Sequence, residues 1–275
     1  MLELPELETY KKLLSEQIIN KRITDVTVKE EKLLNCEVSE WSKELQGREV
    51  LYIERRGKQL LFHLDNGKRL LLNLGVAGQI QYDMEGTEDG SGTALDAQVM
   101  IHFGQQVLRL HGIRQGYVHL LSAKEADQLL SDLGPELLDR KMTLEKFRML
   151  FARKRGMLKS ALVQQTFIAG IGNGYADEIA FEAALLPSAK LQELTEESVE
   201  RLYHSALTVL HDAITYGGLG EQPLNTQDHL TGGYKSHVRV IEREGQACER
   251  CGSLIQKSEV GSRKTFYCAN CQKEQ

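Results

Sequence analysis

Apolar positions at the start of the chain keep helical time. Leu7, Tyr10, Leu14 and Ile18 fall on one face behind Pro5, and this spacing predicts an amphipathic helix over residues 5–20. The period then changes. Short alternating runs at residues 23–28, 49–54, 59–64, 69–74, 98–103, 106–110 and 117–121 predict strands, separated by turn chemistry such as Asp65-Asn66-Gly67. Residues 83–96 are polar and glycine-containing and are expected to form a mobile loop. Helical spacing returns at residues 144–152, 157–166, 175–184 and 196–216; the last of these carries Val199, Leu202, Ala206, Val209 and Ile214 on one face. A tail with a hairpin-like stretch follows. The pattern predicts an α+β protein: a β-sandwich with one leading helix at residues 1–125, a linker at 126–143, a helical domain at 144–233 and a small finger at 234–275.

Composition narrows this picture. The chain has 275 residues, 41% hydrophobic and 27% charged, enough for two modest domains that each bury a core. No run approaches the length needed to cross a bilayer, and the start Met-Leu-Glu-Leu-Pro-Glu is unlike a signal peptide, so a cytoplasmic protein is expected; a monomer is expected as well. A net charge of -5 and a pI of about 6.0 argue against a general polyanion binder. The distribution of charge says more than its sum. Lys146, Arg148, Arg153, Lys154, Arg155 and Lys159 occur with no acid between Lys146 and Tyr175, a local excess that points to phosphate.

Next to that basic stretch lies Ala169 to Glu182, in which Gly170, Gly172 and Gly174 alternate around Asn173. Such spacing lets the chain turn with positive φ, or brings backbone amides close to a ligand. Asp177 and Glu178 are expected in the first turn of the following helix, where the helix dipole favours acids. One reading is a plain interhelical turn; the sharper one is a helix, two tight turns and a second helix that hold a DNA strand through amides and Asn173. In the tail, Cys248-x-x-Cys251 and Cys268-x-x-Cys271 present four thiolates at the spacing tetrahedral zinc requires, leaving no open ligand position. The expected cofactor is one structural Zn2+. The fifth cysteine, Cys36, stands alone.

From Ala169 to Glu178 the chain closely resembles the signature of the bacterial formamidopyrimidine-DNA glycosylase and endonuclease VIII family of base-excision repair enzymes, and the resemblance extends over essentially the whole chain. It implies a helix-two-turns-helix domain, a zinc-ribbon-like β-hairpin finger and double-stranded damaged or distorted DNA as partner. The start departs from the family at one place. Leu2-Glu3-Leu4-Pro5-Glu6 matches at four of five positions, and the mismatch, Leu2, occupies the place of the amino-terminal proline nucleophile. A secondary amine there attacks the sugar and forms an iminium that drives β-elimination. Leu2 is expected to keep Met1, so that its nitrogen is an amide and the free amine lies one residue outward, a misplacement expected to disable a preorganised nucleophile. Glu3 is retained. The resemblance implies a proton-handling role for it, and Glu3 activating water gives plain base hydrolysis with weak or absent lyase activity. Helix capping is the alternative role for Glu3, and a catalytically inactive, lesion-binding paralogue is the alternative for the protein.

The resemblance also assigns DNA-binding roles to Lys58 (with a part in elimination), Asn73, Lys159, Asn173 and Arg263. Val76 stands where the family has a methionine wedge and is too short to fill the gap left by an extruded base. In His111-Gly112-Ile113-Arg114-Gln115-Gly116-Tyr117, either Arg114 or Gln115 takes the place of the arginine that faces the orphaned base, with no aromatic residue at the expected position. Gly217 to Gly233 corresponds to a lesion-capping loop of altered content, and Ser262 stands where glycine is frequent.

Overall fold

A computed structural model describes residues 2–86 and 96–275, which form two compact units. The first comprises Met1–Asp132 and Tyr216–Gly233, the second Leu133–Thr215 and Tyr234–Gln275.

The first unit begins with helix α1 (Leu4–Ile18), whose Leu7, Tyr10, Leu14 and Ile18 are all buried as their spacing predicts. Two antiparallel four-stranded sheets follow. One runs in the order β1-β6-β7-β5, with β1 at Asp25–Val28, β5 at Gln79–Met84, β6 at Val99–Phe103 and β7 at Gln106–His111. The other runs β2-β3-β4-β8, with β2 at Val50–Arg56, β3 at Gln59–Leu64, β4 at Lys68–Asn73 and β8 at Tyr117–Ser122. Both contribute to one core. Val99, Ile101 and Leu110 from the first sheet cluster with Leu60, Phe62, Leu70 and Leu72 from the second and with the apolar face of α1, making the expected sandwich.

Three elements depart from the sequence reading. Strand β5 buries Ile80 and Tyr82, but its glutamines hide the alternation, and Asp83 and Met84 are strand rather than loop. The rest of the expected loop, residues 87–95, lies outside the described residues. Helix α2 (Val38–Leu45) sits in an acid-rich stretch and docks through Trp41 and Leu45, one turn apart. Helix α3 (Ala123–Leu130) occupies part of the expected linker and starts with a Ser122/Glu125 capping box.

The second unit contains α4 (Leu144–Ala152), α5 (Leu158–Leu162), α6 (Asn173–Glu182) and α7 (Glu196–Thr215), then a hairpin of β9 (Gln256–Val260) and β10 (Arg263–Tyr267). Helix α5 is shorter than its apolar period predicts. Gln165 stops it by donating to the carbonyls of Val163 and Ile171 and accepting from the Gly170 amide, a set of bonds that builds the turn into α6. The unit boundary also falls earlier than residue 233. Residues 216–233 belong with the sandwich because Leu224 enters its core and accepts from the Tyr82 amide, and the Gln222 carbonyl accepts from the Tyr10 hydroxyl.

The β9–β10 hairpin turns through two residues, Gly261 at φ +56° and Ser262 at φ +61°, the left-handed pair of a type I′ turn. Glycine tolerates this conformation and serine does so at a cost. Ser262→Gly is therefore expected to stabilise the second unit by about 0.5–1 kcal/mol, read as a rise in the urea unfolding midpoint at constant slope.

Candidate nucleic-acid interface and zinc centre

In the first unit, Glu3 is the N-cap of α1 and forms a reciprocal capping box with Glu6, whose Oε2 accepts from the Glu3 amide at 2.8 Å. The capping role thus exists, whatever else the carboxylate does. Glu3 is only 7% exposed, and Leu2 packs its aliphatic side chain against the sandwich core. Glu6 has a second duty that sequence reasoning missed. Its Oε1 accepts from the Leu219 amide at 2.7 Å, tying the start of α1 to the glycine-rich segment. A Cβ on Gly218 would stand 2.4 Å from that same oxygen, so the close approach requires glycine there.

Lys58 lies in the β2–β3 turn, partly exposed. Its position is set from behind. Buried Arg55 donates from Nε to Glu8 on α1 at 2.7 Å and from Nη1 to the Gly57 carbonyl at 2.9 Å. Burial alone would raise the Glu8 carboxyl; Arg55 and Lys11 outweigh it and hold the group below its ordinary value. Helix α1 and the Lys58 turn are thereby coupled by a charged link.

Asn73 closes β4 at the same sheet end, opposite Tyr117, whose hydroxyl donates to Gln59 at 2.6 Å. The Asn73 Oδ1 accepts from the Gly75 amide at 3.0 Å, so the side chain shapes its own loop. That loop touches the next one: the Val76 amide donates to the Arg114 carbonyl at 3.1 Å, and a Cβ on Gly75 would meet that oxygen at 1.9 Å. Arg114 and Gln115 are both exposed, Gln115 at φ +55°, whereas Ile113 is buried. Lys58, Asn73 and Arg114 thus share one end of the β2-β3-β4-β8 sheet.

In the second unit, Asn173 is exposed at the first position of α6, and Arg263 opens β10 with its guanidinium partly exposed. Of the three glycines around Asn173, Gly170 alone takes positive φ, at 95°; Gly172 is the extended N-cap, and Gly174 is inside the helix.

Lys159 does not lie on a surface. It is 0% exposed, its ammonium pairs with Asp177 at 2.8 Å and donates to the Lys264 carbonyl at 2.6 Å. Asp177 also accepts from the Phe266 amide at 3.0 Å, and burial pushes its carboxyl up to about 7 against the pull of Lys159 and that amide. Glu178 is buried too, and accepts from the amides of Arg239, Val240 and Ile241 at 2.9–3.1 Å. Both acids sit in the second turn of α6 rather than the first. They fasten the finger to the helices instead of answering the helix dipole, so Lys159 holds protein rather than phosphate.

The four tail cysteines come together with their sulfurs within 4.8 Å of one another. Cys248 and Cys271 lie 3.8 Å apart and Cys251 and Cys268 3.5 Å, against about 3.8 Å for sulfurs on a tetrahedral zinc with 2.3 Å bonds. The donor set fits one structural zinc. Metal release by a strong chelator is expected to abolish DNA binding while the far-ultraviolet signal of the sandwich persists. Lys159→Met leaves Asp177 buried without its cation and is expected to cost about 3–5 kcal/mol in denaturant unfolding. Adding Asp177→Leu should recover only part of that, because the Phe266 amide and the Lys264 carbonyl lose their partners.

Comparison with known proteins agrees with this architecture. The chain matches the models of the formamidopyrimidine-DNA glycosylase N-terminal domain over residues 1–117, the formamidopyrimidine-DNA glycosylase H2TH domain over 133–223, and the zinc finger found in FPG and IleRS over 245–273. It is 32% identical to the formamidopyrimidine-DNA glycosylase of Ligilactobacillus salivarius over 276 residues, covering 99% of each chain, and 32% identical to that of Pelotomaculum thermopropionicum over 281 residues, again covering 99% of each. Among solved structures, the Lactococcus lactis Fpg in complex with abasic-site DNA superimposes with a TM-score of 0.89 at 28% identity, over 98% of this chain and 99% of that one. A point mutant of the same enzyme in complex with Fapy-dG-containing DNA matches equally, with a TM-score of 0.89. With its three domain models in order and its relatives matched from end to end, the chain belongs to the formamidopyrimidine-DNA glycosylase family.

Proposed function

We propose that this protein is a DNA glycosylase that binds damaged duplex DNA in the cytoplasm and excises the damaged base by hydrolysis, with little strand cleavage. The observation that carries this reading is Leu2 packed against the core immediately before a retained, largely buried Glu3. Family membership and the Lactococcus lactis complexes with abasic and Fapy-dG DNA support damaged DNA as the ligand.

In this chemistry the Glu3 carboxylate accepts a proton from water as the oxygen attacks C1′ of the damaged nucleotide. The N-glycosidic bond breaks, its electron pair leaves with the base, and the base ends protonated. No amine enters the reaction, so no iminium forms to drive β-elimination. Lys58, Asn73 and Arg114 from the sandwich, and Asn173 and Arg263 from the helical unit, are proposed to hold the strand. Their donors supply phosphate contacts and positioning, and binding weakens steeply with salt. Lys159 contributes indirectly, through the finger that presents Arg263.

The test is a panel of lesion-containing duplexes assayed for base release, nicking and borohydride trapping. Base release without a trapped adduct is expected, and Glu3→Gln, which keeps the capping oxygen, should slow release about 100-fold or more. Adduct formation at the rate of release would replace hydrolysis with amine attack. Tight binding without release across the panel would leave a lesion-binding protein with no chemistry.

A further inference from the structure

Helix α4 is amphipathic in an unusual sense. Phe147 and Phe151 turn inward and pack at a tilt of 31° with ring centroids 4.2 Å apart, and Phe151 meets Phe167 edge-on at 5.2 Å. Apart from the exposed Glu145 in the first turn, the outward side is apolar as well as basic. Met149 is 61% exposed, and with Leu150 and Phe167 it floors a depression of about 340 Å3 whose remaining walls are Lys146, Arg153 and Lys154. Among the described residues no acid lines it, and none occurs in the sequence between Lys146 and Tyr175. In a chain of net charge -5 this is a concentrated positive field around an apolar hollow.

We propose that this hollow docks an acidic peptide segment of a partner protein, with one large apolar side chain seated between Met149, Leu150 and Phe167 and flanking carboxylates against Lys146, Arg153 and Lys154. Two features favour a peptide over nucleic acid. A phosphate backbone uses the cations but leaves the apolar floor unused, and that floor includes a thioether able to adapt to an inserted side chain. One face of Phe167 is already engaged: Lys154 Nζ lies 4.9 Å from its centroid and bonds to Gln164 at 2.6 Å, so a base stacking on that face would have to displace the cation. An aliphatic or aromatic anchor entering at the ring edge, with carboxylates reaching the three cations, uses every wall. The site lies entirely within the helical unit and is independent of the glycosylase reading.

The experiment uses the full-length zinc-loaded protein and a fluorescein-labelled glycine-serine peptide carrying aspartates on both sides of one phenylalanine, followed by anisotropy. Saturable binding is expected. Replacing the phenylalanine with alanine, or the aspartates with asparagine, should each weaken it about ten-fold or more. On the protein, Met149→Asp and Arg153→Glu, both at exposed positions, should do the same with unchanged thermal unfolding, and Met149→Asp should leave lesion-duplex affinity as it was. Binding indifferent to either peptide change, or to Met149→Asp in a protein that melts normally, overturns the proposal. So does a loss of duplex or single-strand affinity in Met149→Asp, which would make the hollow part of the nucleic-acid surface.

Discussion

Two adjacent carboxylates in the middle of α6 hold the second unit together. Asp177 and Glu178 are both buried, and each is tolerable there only because it is engaged: Asp177 with the Lys159 ammonium and the Phe266 amide, Glu178 with three successive amides at residues 239–241. The three partners come from three parts of the chain, namely α5, β10 and the segment that leads into the finger. A zinc site alone orders a loop. These acids fix where the ordered loop sits relative to the turn that exposes Asn173. Because a buried charge without its partner is costly, the arrangement has one low-energy solution rather than several.

The first unit uses the same device more sparingly. Its sandwich is apolar and self-sufficient, but the residues at its functional end are set by charged links back to α1. Glu6 divides its two oxygens between the Glu3 and Leu219 amides, and Glu8 reaches Arg55, which in turn holds the turn bearing Lys58. The start of the chain is consequently not a loose terminus decorated with a nucleophile. It is a helix cap wired into two loops, with Leu2 packed against the core directly before it.

On the proposed reading, a scaffold kept under such constraints without the amine nucleophile changes the chemistry and not the ligand. The donors proposed along the sheet end and at the two turns of the helical unit would meet phosphate, a requirement indifferent to what happens at the sugar. The proposed hydrolysis asks for a carboxylate and water, and Glu3 would supply the carboxylate.

The amino-acid sequence by itself determined the fold class, the sandwich strands with clean alternation, the long helices and the zinc ligands, because each rests on a local regularity: period, turn residues or cysteine spacing. It also singled out Leu2, Glu3, Asn173 and Arg263, on which the proposed function rests. Tertiary structure alone decided the rest. Strand β5 and helix α2 were obscured by glutamines and acids whose neighbours, not their own pattern, bury them. Residues 216–233 joined the sandwich through bonds to Tyr10, Glu6 and Tyr82, all of them distant along the chain, and no local spacing encodes such pairings. Lys159, Asp177 and Glu178 read as surface charges in one dimension. Only the packing of α5, α6 and β10 removes them from water, and with that removal Lys159 turns from a ligand contact, and the two acids from answering the helix dipole, to holding the unit together.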